Sequence, residues 1–224
     1  MKLIGFGCSF TYGSELLDPN VAWDGHHENT RYREKHVWLG QLAERLNCNY
    51  LNLAEPGCSN YAIQEIFADW FSNNIDNNIL VCVAWTHNQR HSWWYDNENR
   101  WVHDGFIRYN SEKVFTNSFK EWLTLSHKRC KKETQNAKLF VNSVCLANNI
   151  KIIQFDALDY VNDKNNYSNY HQRGLSMKQC LEGEEKSLEK TFLTDGNHPN
   201  EAGHAYYAKL LHIWITARGI ITNV

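Results

Sequence analysis

No apolar run in this chain of 224 residues approaches the roughly 20 residues that a helix needs to cross a bilayer, so no membrane partner is expected. The opening stretch, Met1 to Gly7, has too short an apolar part for a signal peptide and reads as a first strand. Charge of one sign is also missing. The formal net charge of -2 supplies no electrostatic reason to expect nucleic acid or an anionic surface as partner. The seven cysteines contain no CxxC pair, which excludes the spacing of a zinc ribbon or a thioredoxin-like motif. They are scattered at Cys8, Cys48, Cys58, Cys82, Cys130, Cys145 and Cys180, several of them inside apolar runs. That usage fits small buried side chains in a reducing compartment, so a cytoplasmic location is expected. Linkers and internal repeats are absent as well.

What is present is ordinary for a globular chain: 42% hydrophobic and 21% charged residues. The length suffices to bury a core without cross-links, and a single domain over residues 1–224 is expected. Short apolar runs at Lys2 to Phe6, Asn49 to Leu53, Ile79 to Trp85 and Lys151 to Phe155 have the length of buried parallel strands. Helical patterns lie between them. Val37 to Leu46 places Trp38, Leu39, Leu42 and Leu46 on one face, and Ser59-Asn60 offers a cap for a helix through Tyr61, Ile63, Ile66, Phe67 and Trp70. A longer pattern runs from about Asn117 to Asn148, and a last helix is expected over Asn200 to Ala217. The polar stretch from Asn162 to Lys190 reads as an irregular excursion. Alternating strands and helices predict an α/β fold, a three-layer α/β/α sandwich with a flavodoxin-like parallel sheet.

In such a sheet, ligands bind beyond the carboxyl ends of the strands. The loops there are Gly7-Cys8-Ser9-Phe10-Thr11-Tyr12-Gly13 after the first strand, Ala54-Glu55-Pro56-Gly57-Cys58-Ser59-Asn60 after the second, and Thr86-His87-Asn88-Gln89-Arg90 after the third. A serine hydroxyl becomes a nucleophile at neutral pH only with a base, and the base needs an orienting carboxylate. Asp195-Gly196-Asn197-His198-Pro199 offers both, because a three-residue offset in a turn can set an aspartate beside the imidazole. Alone, that segment reads equally as a surface turn with a capping aspartate. Pro199 fits near the start of the following helix.

These segments resemble the conserved blocks of the SGNH, or GDSL-type, hydrolases. The Ser9 loop is similar to the first block, Asn52 to Asn60 to the second, Thr86-His87-Asn88 to the third, and Asp195-Gly196-Asn197-His198 to the closing Asp-x-x-His. The resemblance implies the SGNH hydrolase fold and a serine esterase with Ser9 as nucleophile, His198 as base and Asp195 as orienter. It further implies an oxyanion hole made by the N–H groups of Ser9 and Gly57 and by the Asn88 side chain, with no metal or organic cofactor. The chain departs from the family pattern at Cys8, which stands where the aspartate of GDSL lies, at Thr86 for the third-block glycine, and at Gln89 for the aspartate that follows. Alternation along an extended segment predicts that Cys8 turns away from the side Ser9 presents, which leaves a thiol nucleophile as the lesser alternative.

Trp85, Trp93, Trp94, Tyr95 and Trp101 crowd the segment after the third strand. Aromatic faces there would stack on sugar rings or enclose an acyl group; the bland alternative is packing of a long connection. Trp85, His87, Arg90, Trp93 and Trp94 are the candidate substrate contacts. His26-His27, with His87 and His91 at the i, i+4 spacing of helix ligands, raise the question of a metal. No carboxylate or cysteine completes a set, and packing or solvent-facing histidines are expected instead. The expected activity is hydrolysis of an acyl ester, a small molecule or a glycan, with acyl transfer to a sugar hydroxyl as the related alternative. A non-catalytic carbohydrate-binding or assembly protein is the alternative of another class.

Overall fold

A computed structural model describes residues 1–20, 30–74, 78–88, 90–95, 100–104, 127–158 and 175–221, with the backbone alone at 93–95, 100–104 and 127–128. In chain order the strands are β1 (Lys2–Gly7), β2 (Asn49–Asn52), β3 (Ile79–Trp85), β4 (His91–Tyr95), β5 (Arg100–Asp104) and β6 (Lys151–Asp156). The helices are α1 (Ser9–Tyr12), α2 (Thr30–His36), α3 (Trp38–Arg45), α4 (Asn60–Asn73), α5 (His127–Ala147), α6 (Met177–Leu188) and α7 (Glu201–Ala217).

The four apolar runs form one parallel sheet in the order β2-β1-β3-β6, with Lys2 beside both Asn49 and Ile79, and Trp85 beside Asp156. β3 is central and buried at every position, as a strand covered on both faces must be. Alternation along β1 shows the two covering layers. A Cβ on Gly5 would strike Leu39 of α3, whereas Phe6, the next residue, meets Phe67 and Trp70 of α4 edge to face. Along β6, Phe155 packs against Trp38 of α3 and Tyr207 of α7. Gln154 instead turns to Asn142 of α5. So α3 and α7 cover one face and α4 and α5 the other: a three-layer α/β/α sandwich. Phe6, Trp38, Phe67, Trp85, Phe155 and Tyr207 are fully buried in its core.

The helix ends follow local chemistry. Ser59 caps α4 by accepting from the Ala62 N–H, and Asn200 caps α7 by accepting from the Gly203 N–H. Pro199 therefore stands just outside α7 and bridges to Leu193. The expected excursion before the last helix contains a helix of its own. α6 buries Met177, Cys180 and Leu181, and a reciprocal capping box of Ser176 and Gln179 starts it. That Ser-x-x-Gln signal was legible in a stretch otherwise too polar to show an apolar stripe. Residues 159–174 and the first part of the expected Asn117 to Asn148 helix lie outside the described residues; α5 begins at His127. The segment after β3 returns as an antiparallel hairpin of β4 and β5. None of the cysteines forms a disulfide, and all but Cys48 are buried. Among the described residues no helix is long and apolar enough to cross a membrane.

Candidate active site

The strand order reverses between β1 and β3, and the loops that leave their carboxyl ends open a crevice. Ser9 lies there as the first residue of α1, a single turn closed by Gly13 in the left-handed conformation. A side chain at Gly13 would meet Arg33 and Val37 as well as face that backbone strain. The loop is thus helical from Ser9 onward, not extended. Cys8 is its N-cap residue, fully buried and part of the core, so the thiol is withdrawn from the crevice. The Ser9 Oγ is buried and makes no hydrogen bond with the described residues.

The second loop is drawn to the first by the Glu55 N–H, which donates to the Gly7 carbonyl at 3.1 Å. Asn52 adds a bond from Nδ2 to the Thr11 carbonyl at 2.7 Å. Pro56 and Gly57 then occupy the corner of a turn closed from Cys58 N–H to the Glu55 carbonyl. Gly57 has φ 78°, the position where a Pro-Gly turn of type II demands glycine. That geometry leaves the Gly57 N–H outside the turn's own hydrogen bond. Asn60, at the start of α4, ties this loop to the third. Its Oδ1 accepts from the Thr86 N–H at 2.8 Å, and its Nδ2 donates to the Thr86 carbonyl at 3.0 Å. Asn88 follows in a turn, half-buried. The N–H groups of Ser9 and Gly57 and the Asn88 amide have no hydrogen-bond partner among the described residues.

His198 reaches the crevice from a loop pinched at both ends. The Thr194 N–H donates to the His198 carbonyl at 2.8 Å, the His198 N–H donates to the Thr194 hydroxyl at 3.2 Å, and Leu193 bridges Pro199. Glu185 of α6 holds the approach, accepting the N–H groups of Phe192 and Leu193 at 2.5 and 2.8 Å. The imidazole lies against the ring of Phe10, the neighbour of Ser9, with centroids 5.6 Å apart. Its Nδ1 is 2.8 Å from Glu15 Oε1. Asp195, expected in that role, is an exposed turn residue with no hydrogen bond to the described residues. The offset from 195 to 198 is taken up by the tight turn, with Asn197 at φ 63°, so the Asp195 carboxylate faces outward.

Glu15 accepts from the Thr194 hydroxyl as well as engaging His198. Partial burial alone would raise its carboxyl. The hydrogen bonds from Thr194 and His198, the nearby imidazole charge and the Gly196 N–H outweigh that effect and hold it below the usual carboxylate range. A second histidine, His204 of α7, is fully buried and its basicity is pushed down to about 3 by burial first and by His198 second. Its Nδ1 accepts the Trp38 N–H at 3.2 Å. A group so placed is neutral and structural.

The candidate substrate contacts fare unevenly. Trp85 is fully buried, its indole N–H donating to Gln154 Oε1 at 3.0 Å. It is core, and its expected substrate role is corrected on that ground. His87 and Arg90 are half-buried in the third loop. Arg90 also lines a cavity of about 560 Å³ with Ser59, Tyr61, His91, Arg129 and Glu133. For Trp93 and Trp94 the strand positions in β4 are described and the side chains lie outside the described residues, as do Gln89 and the pair His26-His27. His87 sits in the loop and His91 opens β4, so their spacing is not that of helix ligands. Among the described residues no group of His, Cys, Asp or Glu is placed to hold a metal ion.

No family model matches the sequence, and no curated protein is similar to it. Solved structures do match. One is a carbohydrate esterase whose active site displays divergent catalytic and non-catalytic binding functions; it is 12% identical with a TM-score of 0.51, over 98% of this chain and 66% of its own. A family 2 carbohydrate esterase with a carbohydrate-binding domain, from Corynascus thermopiles (Myceliophthora fergusii), is also 12% identical with a TM-score of 0.51, over 97% and 66%. The fold is the one these two carbohydrate esterases share. A member of the lipolytic G-D-S-L family from Veillonella parvula DSM 2008 is similar along its whole length, covering 95% of this chain and 98% of its own, at 13% identity and a TM-score of 0.42. This chain spans about two thirds of the length of the two carbohydrate esterases. Ser9, Gly57 and Asn88 fall on the three loops at one end of the sheet, and His198 on the loop before the last helix.

Proposed function

We propose that this chain is a serine esterase that removes an acyl group from a carbohydrate. The observation that carries the reading is the placement of His198 beside the Ser9 turn, its Nδ1 held by a carboxylate at 2.8 Å. A carboxylate only accepts, so the proton resides on Nδ1 and Nε2 is left as a base. Ser9 Oγ attacks the ester carbonyl carbon and its proton passes to Nε2. The carbonyl oxygen becomes an oxyanion facing the N–H groups of Ser9 and Gly57 and the Asn88 amide, donors otherwise unengaged. Collapse breaks the bond to the alcohol, which leaves with the proton from Nε2. Water repeats the sequence on the acyl-serine and frees the acid. A catalytic hydrogen bond often tightens only when substrate is bound, which accommodates a Ser9 hydroxyl without a partner among the described residues.

Labelling with a fluorophosphonate probe tests this directly. The wild-type protein is expected to label and to cleave a small activated acetate ester, and Ser9→Ala is expected to do neither while unfolding at the same denaturant concentration. An unlabelled wild type would leave the non-catalytic binding reading in its place. Products distinguish the acyl-transfer alternative: acyl groups appearing on an added sugar rather than in water would assign the chain to transfer.

A further inference from the structure

We infer that Glu15, and not Asp195, is the positioning residue for the His198 imidazole, seated in a pocket that Thr194 and Gly196 shape for it. The catalytic consequence rests on the proposed role of Ser9 and His198; the contact itself does not.

Independent observations converge on Glu15. Its Oε1 is 2.8 Å from Nδ1 of His198, while its other oxygen accepts the Thr194 hydroxyl and the Gly196 N–H faces the carboxylate. These contacts engage both oxygens of the carboxylate. Gly196 leaves room for the carboxylate, because a Cβ at that position would run into both of its oxygens and displace it. Glu15 itself has φ 68°. That conformation costs a non-glycine residue free energy and persists where surrounding contacts impose it. The Ser9 carbonyl accepts the N–H groups of both Gly13 and Ser14, so nucleophile and orienter are held in one compact turn. Asp195, by contrast, engages none of the described residues. Within the motif Asp195-Gly196-Asn197-His198, the glycine thus supplies room for a carboxylate that comes from the other end of the chain.

The step Glu15 governs is the proton transfer from Ser9. A neutral imidazole has two tautomers, and only the one with Nδ1–H leaves Nε2 able to accept the serine proton. Glu15→Gln keeps the size of the side chain and removes the acceptor-only character. Turnover of an activated acetate ester is expected to fall about 10,000-fold, the loss found when a serine-protease triad loses its carboxylate, with KM changing little. Asp195→Asn is expected to keep turnover within a few-fold of the parent. Gly196→Ala leaves every polar group in place but fills the seat, and is expected to lower turnover in the direction of Glu15→Gln. A readout independent of activity is the proton spectrum: Nδ1–H of His198, held on a carboxylate, is expected far downfield, to vanish in Glu15→Gln and His198→Ala, and to persist in Asp195→Asn. Loss of that resonance in Asp195→Asn with retention in Glu15→Gln would overturn the assignment. So would an equal or greater loss of turnover in Asp195→Asn. A wild type with no esterase activity but with this resonance pattern would sink the esterase reading and leave Glu15 as the partner of His198.

Discussion

At the residue scale, each side chain at the crevice is asked to do one thing, and its surroundings show whether it can. Trp85 cannot meet a substrate because it has no exposed surface. Cys58 is no rival nucleophile, since burial pushes its thiol well above the ordinary range, with the charge of Glu55 adding to the effect. Asn88 is the opposite case, a half-buried amide with no hydrogen-bond partner among the described residues. If it donates to the developing oxyanion, Asn88→Ala will lower turnover about 100- to 1,000-fold, about 2.7–4 kcal/mol. The ground-state carbonyl gains little from that donor, so steady-state kinetics should show KM nearly unchanged. A rise in KM at constant turnover would instead make Asn88 a substrate-binding group.

At the element scale, the site is three loops and a turn held by a few buried polar bonds. Asn60 is the clearest of these. It is 3% exposed, and its amide bridges α4 to both backbone groups of Thr86 and to the Thr134 hydroxyl of α5. Asn60→Ala leaves a buried N–H and C=O unpaired, a cost of about 1–3 kcal/mol, to be read as a lower midpoint of urea denaturation. The same variant should lower turnover, because Asn88 follows Thr86 by two residues. Stability lost without any change in activity would show that the third loop is positioned by other contacts. β6 carries a comparable device: Lys138 of α5 meets Asp156 at 2.9 Å, both fully buried at the carboxyl end of the sheet. Removing either partner alone would take this contact from the other charge in the interior, which is costly there.

At the scale of the whole molecule, the acid limb of stability follows from the buried histidine. His204 titrates near 3 in the folded protein and near 6.5 when unfolded. Between those values the unfolded chain binds the extra proton, so stability falls as pH drops below about 6.5, by at most about 1.4 kcal/mol per pH unit from this group. Glu15 acts in the same direction at lower pH: its depressed carboxyl contributes stability above its unfolded value that is lost as pH falls through the folded one. His204→Asn, whose side-chain oxygen can still accept the Trp38 N–H, should flatten the decline between pH 6.5 and 4.5 in chemical denaturation. An unchanged slope would mean that another group carries the titration.

The local signals were enough to establish the four strands of the parallel sheet and the capping of α4 at Ser59. Each depends on apolar pattern or backbone chemistry within a few residues, which a sequence displays openly. The order of loops along the chain likewise placed Ser9 and His198 at one end of the sheet once the strands were taken as parallel. The partner of His198 was not legible in the same way. Asp195 is three residues away along the chain, but the turn that pinches Thr194 to His198 aims it into solvent. Glu15 is 183 residues away and 2.8 Å distant. The burial of Trp85 likewise depended on Gln154 across the sheet. Spacing in sequence bounds which side chains can meet; which of them do meet is decided by how the turns point and by what packs against them, and that exists only in the folded chain.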